Sequence, residues 1–196
     1  MVCWISSHIL NFILHNLDIP SEMKEAYQYG IEITISSILN IVLILVCSLV
    51  VGDILAGITY LFIFIFLRSF TGGYHATTYF RCNATFVLTF LITFCFYKAI
   101  VYFELPFFAS VAIAFLNLIP IVVLSPVPNK HKPLTAEQRK HAYKLSLIIA
   151  SVISLIGVSL LTLKIPIGAM IITTVTMVSV LMITETIMQR RGIHEC

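Results

Sequence analysis

The sequence has 196 residues, of which 59% are hydrophobic and only 11% are charged, and its mean hydropathy is +1.01. A typical soluble domain carries about a quarter charged residues, so this composition excludes an ordinary water-soluble protein and indicates an integral membrane protein. The formal net charge of +3 is too small to indicate a nucleic-acid-binding protein.

The N-terminal segment is predicted to form an amphipathic helix. In "WISSHILNFILHNLD" the polar residues Ser7, Asn11, His15 and Asp18 recur at helical spacing, and apolar residues fill the other side. Such a helix lies along the membrane interface, the alternative being a frayed chain end. We therefore assign residues 1–30 to an amphipathic segment and 31–187 to transmembrane helices of a single membrane domain, 1–196.

The rest of the chain offers about six apolar runs of the kind that cross a bilayer, a crossing needing roughly 20 apolar residues. Backbone polar groups cannot be left without partners in hydrocarbon, so these runs are predicted to be helices. The fold class is thus an all-α polytopic membrane protein with about six transmembrane helices. The predicted spans are Ile31–Val51, Ile54–Leu67, Ala84–Tyr102, Pro106–Leu124, Tyr143–Leu163 and Ile165–Ile187.

The second run is short for a transmembrane helix. Its roughly 14 residues rise only about 21 Å. It must therefore borrow flanking residues, distort the bilayer or re-enter from the same side.

Residue types that can take part in catalysis are concentrated between the second and third runs, in "LRSFTGGYHATTYFRCNATF". A cysteine becomes a good nucleophile as the thiolate, which a nearby imidazole, a positive charge or a helix N-terminus favours. Cys82 has Arg81 beside it, and the third span is expected to begin at about Asn83. His75 would accept the thiol proton and later return it to a leaving amine. The alternative is an ordinary connecting loop.

Helix geometry limits how His75 and Cys82 can meet. Seven residues in one straight helix are two turns, about 10 Å along the axis, which is too far for a hydrogen bond. The chain between them must therefore leave the helical path. Gly72 and Gly73, just upstream, supply the backbone freedom for this.

Other polar residues carry weaker signals. No His or Cys grouping has the spacing of a zinc site, so neither a metal nor another cofactor is expected. Asp53 and Glu185 lie at or inside apolar runs, where an ionisable residue suggests function, although both could instead be at helix ends near water.

The distribution of basic residues predicts the orientation. With the N-terminus in the cytoplasm and six alternating spans, ten of the twelve lysines and arginines face inward and only Lys98 and Lys164 face outward. The positive-inside rule then puts both termini and the Cys82 segment on the cytoplasmic side of the cell membrane. The inward residues are Lys24, Arg68, Arg81, Lys130, Lys132, Arg139, Lys140, Lys144, Arg190 and Arg191.

Four of these residues lie in the loop before the fifth span, and we call them the basic loop cluster: Lys130, Lys132, Arg139 and Lys140. Thr135 and Gln138 in the same loop have capping-box spacing, which predicts a helix start there. The cluster either sets topology and contacts anionic lipid, or binds an acidic part of a substrate together with Arg68 and Arg81.

The chain resembles the AgrB family of bacterial membrane cysteine endopeptidases, whose relatives include FsrB. The resemblance rests on length, six apolar runs, an arginine closing the second run, "GGYHA", a cysteine opening the third run, and the later "SPVPNKHKPL" loop. It implies that His75 and Cys82 are catalytic and that Arg68 and Gly73 are essential, with Gly72 in support. The family pattern identifies no third catalytic residue to orient the histidine.

The resemblance also implies a reaction and a substrate. Cys82 would cleave the C-terminal tail from a quorum-sensing precursor, an AgrD-like peptide with an amphipathic leader and an acidic tail. The resulting thioester would be converted to a cyclic thiolactone or lactone. The expected partners are this peptide and the lipid bilayer, with a homodimer as a candidate assembly and no nucleic acid. The alternative function is a small permease or peptide-export subunit without proteolytic activity. In that case the amphipathic N-terminus and the basic loop would be gating or docking elements.

Overall fold

The structure is a computed structural model, and it describes residues 6, 8, 10, 24–72, 78–128 and 134–191. Within these ranges the chain forms six long helices and no strand, which confirms the predicted all-α fold class. All six are long and apolar enough to cross a membrane, as in a multi-pass membrane protein. They are α1 (Lys24–Val50), α2 (Ile54–Thr71), α3 (Tyr79–Tyr102), α4 (Phe107–Leu124), α5 (Ala136–Thr162) and α6 (Ile167–Arg190).

Most of the predicted N-terminal amphipathic helix lies outside the described residues. Of this segment Ser6, His8 and Leu10 are described, and all three are helical. Ser6 and Leu10 are buried, and the Ser6 hydroxyl donates a hydrogen bond of 3.1 Å to Glu32 of α1.

Several helices begin before the predicted spans, and for two of them a side-chain cap fixes the start. α1 begins at Lys24 instead of Ile31. α3 begins at Tyr79, before the expected Asn83, since the Thr78 hydroxyl accepts a hydrogen bond from the Arg81 N–H. α5 begins at Ala136 instead of Tyr143, behind the capping box that the sequence predicted.

The short second run becomes a full helix by borrowing flanking residues. α2 has 18 residues, about 27 Å at the ordinary helical rise. Asp53 caps its start, accepting a hydrogen bond of 3.1 Å from the Ala56 N–H, and Gly72 ends it. α2 therefore includes Arg68 in its last turn, and it does not turn back into the membrane.

α6 is the central helix of the bundle. It packs against α2, α3, α4 and α5, and Met170, Val175 and Met182 on it have no exposed surface. Small residues let α5 approach closely, since a Cβ added at Gly168 would lie 2.6 Å from the Gly157 carbonyl oxygen. α1 packs against α2 and α3 at one side.

The contacts between helices define two ends of the bundle. At one end the start of α2 meets the end of α3. There Asp53 forms an ion pair with Lys98, with 2.9 Å between Asp53 Oδ2 and Lys98 Nζ. At the other end the last turn of α2, the first turn of α3 and the last turns of α6 come together with residues 125–128, which follow α4. We call these the Asp53 end and the Cys82 end.

Candidate active site

An aromatic cluster between α2 and α3 fixes how these two helices pack. The rings of Tyr60 and Phe64 on α2 meet those of Phe86 and Phe90 on α3, with centroids 4.9–5.7 Å apart. The Tyr60 hydroxyl shares a hydrogen bond of 2.8 Å with the Thr89 hydroxyl. Aromatic rings at such separations attract beyond simple burial of area. This packing brings the last turn of α2 to the first turn of α3.

Cys82 lies in the first turn of α3 with a half-buried thiol. Its backbone N–H donates a hydrogen bond of 2.9 Å to the carbonyl of Thr78, whose own backbone is extended (φ −133°, ψ 147°). The cysteines that the structure describes, Cys47, Cys82 and Cys95, are free thiols. Cys82 is therefore available for chemistry, and the extended backbone of Thr78 marks the start of α3.

The Cys82 side chain faces the interior of the bundle. At 100° per residue, Cys82 shares one face of α3 with Phe86 and Thr89, which lie four and seven residues further on. That face packs on α2 through the aromatic cluster. The thiol therefore points toward α2 rather than into lipid.

Arg68 supplies the positive charge beside the thiol. The guanidinium carbon lies 5.4 Å from the centroid of the Phe64 ring, one turn back on α2. The guanidinium also lies within electrostatic range of the Cys82 thiol, the Tyr60 hydroxyl and the Glu185 carboxyl. A cation so placed favours the thiolate form of a cysteine.

Gly72 closes α2 in a conformation that suits only glycine. Its φ is +69° and its ψ is −160°, and its N–H donates a hydrogen bond of 3.0 Å to the Arg68 carbonyl. The backbone of residues 125–128 lies directly against it. Val127 donates an N–H bond of 2.9 Å to the Thr71 carbonyl, and a Cβ added at position 72 would lie 2.8 Å from the Val127 carbonyl oxygen.

Glu185 belongs to this end of the bundle, whereas Asp53 does not. In the sequence the two acids carry the same signal, because each is an ionisable residue at or inside an apolar run. Glu185 is only 5% exposed and interacts electrostatically with Arg68. Asp53 lies at the far end of α2, paired with Lys98 and accepting a 3.2 Å hydrogen bond from the Tyr97 hydroxyl.

The surroundings of Asp53 explain its charge state. Burial raises the pKa of the Asp53 carboxyl, but the Lys98 ammonium, the Ala56 N–H and the Tyr97 hydroxyl lower it by more. The pKa of Asp53 therefore lies below its ordinary value, as for a structural carboxylate in a cap and ion pair.

The remaining predicted site residues have different outcomes. The structure brings Arg68, Gly72 and Cys82 together, and it leaves Arg81 exposed in the first turn of α3. Arg139 and Lys140 are exposed near the start of α5, at the Cys82 end. His75, Gly73, Lys130 and Lys132 lie outside the described residues. Among the residues that are described, no three His, Cys, Asp or Glu side chains form a group that could hold a metal ion.

An apolar groove of about 550 Å³ runs between α1 and α3, lined among others by Leu39, Leu43, Phe80, Val87 and Leu91. Phe80 precedes Cys82 by two residues, a rotation of about 200° around α3. The groove is therefore on the opposite face of α3 from the thiol, and we do not include it in the site.

Sequence comparisons relate the chain to known proteins. The sequence model of one family, Accessory gene regulator B (AgrB), matches residues 6–186. The AgrB-like protein 2 of Clostridium perfringens (strain 13 / Type A) is 28% identical over 147 residues, which are 71% of this chain and 67% of that protein. An AgrB-like protein of Clostridium perfringens (strain SM101 / Type A) is 25% identical over 145 residues, with the same coverage. No solved structure matches the chain. The family match spans the candidate site from Arg68 to Glu185.

Proposed function

The chain belongs to the Accessory gene regulator B family, which supports a role in the agr quorum-sensing system, and from this premise we propose that it is a membrane cysteine endopeptidase that matures a signalling peptide. The observation that carries the proposal is the free Cys82 thiol in the first turn of α3, within electrostatic range of the Arg68 guanidinium. A thiol flanked by a cation at a helix start is the environment of reactive cysteines.

The first step of the proposed reaction is acyl transfer to Cys82. His75 accepts the thiol proton, and the sulfur attacks the carbonyl carbon at the cleavage site of the precursor. The tetrahedral intermediate collapses by breaking the C–N bond, and the leaving amine takes the proton back from His75. The C-terminal tail departs, and the rest of the peptide stays on Cys82 as a thioester.

The second step closes the ring. An internal thiol of the bound peptide attacks the thioester carbonyl and releases the Cys82 sulfur, giving a thiolactone; an internal hydroxyl would give a lactone. One thioester replaces another, so the exchange is nearly balanced and needs no oxidant and no ATP. The enzyme must mainly hold the internal nucleophile close, since high effective concentration lets it outcompete water.

The basic residues of the Cys82 end suit an acidic part of the precursor. Arg81, Arg139 and Lys140 are exposed there. The basic loop cluster and Arg81 would hold this acidic part near the site, while the amphipathic leader lies on the membrane. The positive-inside rule associates an excess of basic residues at one end of the bundle with the cytoplasm. We therefore place the site on the cytoplasmic face.

The direct test is cleavage of a candidate precursor by the purified protein in lipid. Cys82→Ser and His75→Ala are each expected to abolish tail release while the protein still inserts and folds. Cys95→Ser is a matched control, because Cys95 is an exposed cysteine on the same helix, more than three turns away. A wild-type reaction quenched in acid should contain a peptide adduct on Cys82 that hydroxylamine removes.

Two outcomes would overturn the proposal. Full tail release by either active-site variant at matched expression would exclude the Cys82 mechanism. Transport of an uncleaved peptide by the wild-type protein, with no tail release, would instead favour a permease.

A further inference from the structure

Glu185 is a buried acid that the proposed mechanism does not use. It lies on the central helix α6, five residues before the helix ends, and it is only 5% exposed. Its Oε1 accepts a hydrogen bond of 2.8 Å from Gln189 Nε2, and the same amide nitrogen donates a 2.9 Å bond to the Pro128 carbonyl. Gln189 thus fixes the carboxyl group from within the same helix, and Gln189 is itself held by residues 125–128.

The same segment is also attached to α2, the helix that carries Arg68. The Val127 N–H donates to the Thr71 carbonyl, and Leu67 and Thr71 have no exposed surface. A continuous chain of contacts therefore runs from Glu185 through Gln189 and residues 125–128 to the last turn of α2. In addition, the Glu185 carboxyl and the Arg68 guanidinium interact electrostatically.

A guanidinium among aromatic and aliphatic side chains needs a compensating negative charge. Phe64 provides one face, but the attraction of a ring quadrupole is much weaker than the cost of burying a charge. Arginine is long and lies in the last turn of α2, so without a counter-charge it could extend to the headgroup region. A fixed carboxylate inside the bundle opposes that movement.

We propose that Glu185 is a positioning residue that acts through Arg68: its carboxylate, held by Gln189, keeps the guanidinium inside the bundle and beside the Cys82 thiol. The role rests on the proposed function in so far as Cys82 is the nucleophile. It concerns the environment of the sulfur atom, however, and this can be measured without any peptide substrate.

The test is a double-mutant cycle on the alkylation rate of Cys82 by iodoacetamide, a small neutral reagent, in the full-length protein in lipid nanodiscs. The other four cysteines are replaced by serine so that one site is read: Cys3, Cys47, Cys95 and Cys196. At neutral pH, Arg68→Gln is expected to slow alkylation about tenfold, which corresponds to about 1.4 kcal/mol. Glu185→Gln should slow it to a similar extent. The double variant should be no slower than either single variant, because both substitutions remove the same interaction.

Asp53→Asn is the matched control, since Asp53 is the acid at the opposite end of the bundle, and it should leave the alkylation rate unchanged.

Two milder variants cover the case in which Glu185→Gln does not fold, and we call them the graded variants. Glu185→Asp keeps the charge on a shorter side chain, and Gln189→Met removes the amide that fixes the carboxylate. Each should slow alkylation about threefold, the size expected for one ordinary hydrogen bond.

Three results would refute the role of Glu185: an unchanged or faster alkylation rate in Glu185→Gln, multiplying effects in the double variant, or wild-type rates in both graded variants. The proposed function fails separately. If Cys82→Ser still cleaves the precursor, Cys82 is not the nucleophile, whatever the alkylation cycle shows.

Discussion

Replacement of Gly72 by alanine tests whether the end of α2 is held as the structure indicates. Two effects add at this position. The backbone conformation, φ +69° with ψ −160°, is one that glycine alone adopts readily, and forcing another residue into it costs about 1–3 kcal/mol. The new Cβ would also lie 2.8 Å from the Val127 carbonyl oxygen and 3.3 Å from the Val127 nitrogen.

The second effect is not easily relieved, because the atoms that must move are backbone atoms. The Val127 N–H is already bonded to the Thr71 carbonyl, so the two segments cannot separate without breaking that bond. Overpacking of this kind costs about 1–3 kcal/mol. Gly72→Ala should therefore destabilise the fold by about 2–6 kcal/mol in total.

Gly52→Ala is the matched control for this experiment. Gly52 also has a positive φ, +76°, but a Cβ built there meets nothing within 4 Å. This variant should lose only the backbone contribution, about 1–2 kcal/mol. Equilibrium unfolding in mixed micelles, followed by far-UV circular dichroism, gives both values. Their difference estimates the contact with Val127.

Cleavage activity gives a second readout of the same contact. The Arg68 carbonyl accepts the Gly72 N–H, so a shift at position 72 moves the turn that carries the guanidinium. A displacement of about 1 Å near a reacting group can cost up to about a hundredfold in rate. We expect a loss of at least about tenfold for Gly72→Ala and none for Gly52→Ala. Equal stabilities of the two variants, with wild-type cleavage in both, would show that the 125–128 contact is absent from the protein.

Three further outcomes follow from the two ends of the bundle. Since the folded pKa of Asp53 is depressed, its pairing with Lys98 stabilises the fold above about pH 4, and this stabilisation is lost as the pH falls further. Asp53→Asn should remove this loss of stability at acid pH from the plot of unfolding free energy against pH. The change should be about 1 kcal/mol or less, because the pair is partly exposed. A membrane-impermeant maleimide should label a cysteine introduced at Lys164 in intact cells but one at Lys140 only after permeabilisation, and the reverse pattern would overturn the orientation. Glutamine at all four positions of the basic loop cluster should raise the apparent KM severalfold at low salt and weaken its salt dependence, with kcat little changed; an unchanged KM would assign the cluster to topology alone.

The sequence was sufficient to predict the helices because their signal is local. A run of apolar residues long enough to cross a bilayer has to satisfy its backbone internally, so it is a helix regardless of its neighbours. The helix ends were less predictable for the opposite reason. α3 begins at Tyr79 because the Thr78 hydroxyl caps it, and hydropathy does not register a cap.

The site was predictable only in part. The sequence pointed to Arg81 as the positive charge beside Cys82, and Arg68 came only from the family resemblance. In the structure Arg81 is exposed, and Arg68 is the arginine within electrostatic range of the thiol. The addition of Glu185 could not have been deduced, since it is 103 positions from Cys82 in the printed numbering. Its sequence signal, an acid in an apolar run, was the same as that of Asp53. Only the packing of α6 against α2 distinguishes the two.

The depth of the site in the bundle suits the chemistry that we propose for it. Arg68 and Cys82 lie in the last turn of α2 and the first turn of α3, and Glu185 lies less than two turns from the end of α6. A charged pair placed deeper would cost more to insert, and the polar tail of a peptide could not follow it. A site outside the bundle would let water compete for the thioester. Helix ends fray, however, and residues placed there need additional fixing. The hydrogen bonds of residues 125–128 to Thr71 and Gln189 supply it, which is why Gly72 and Gln189, neither of them a reacting group, should affect the rate of Cys82.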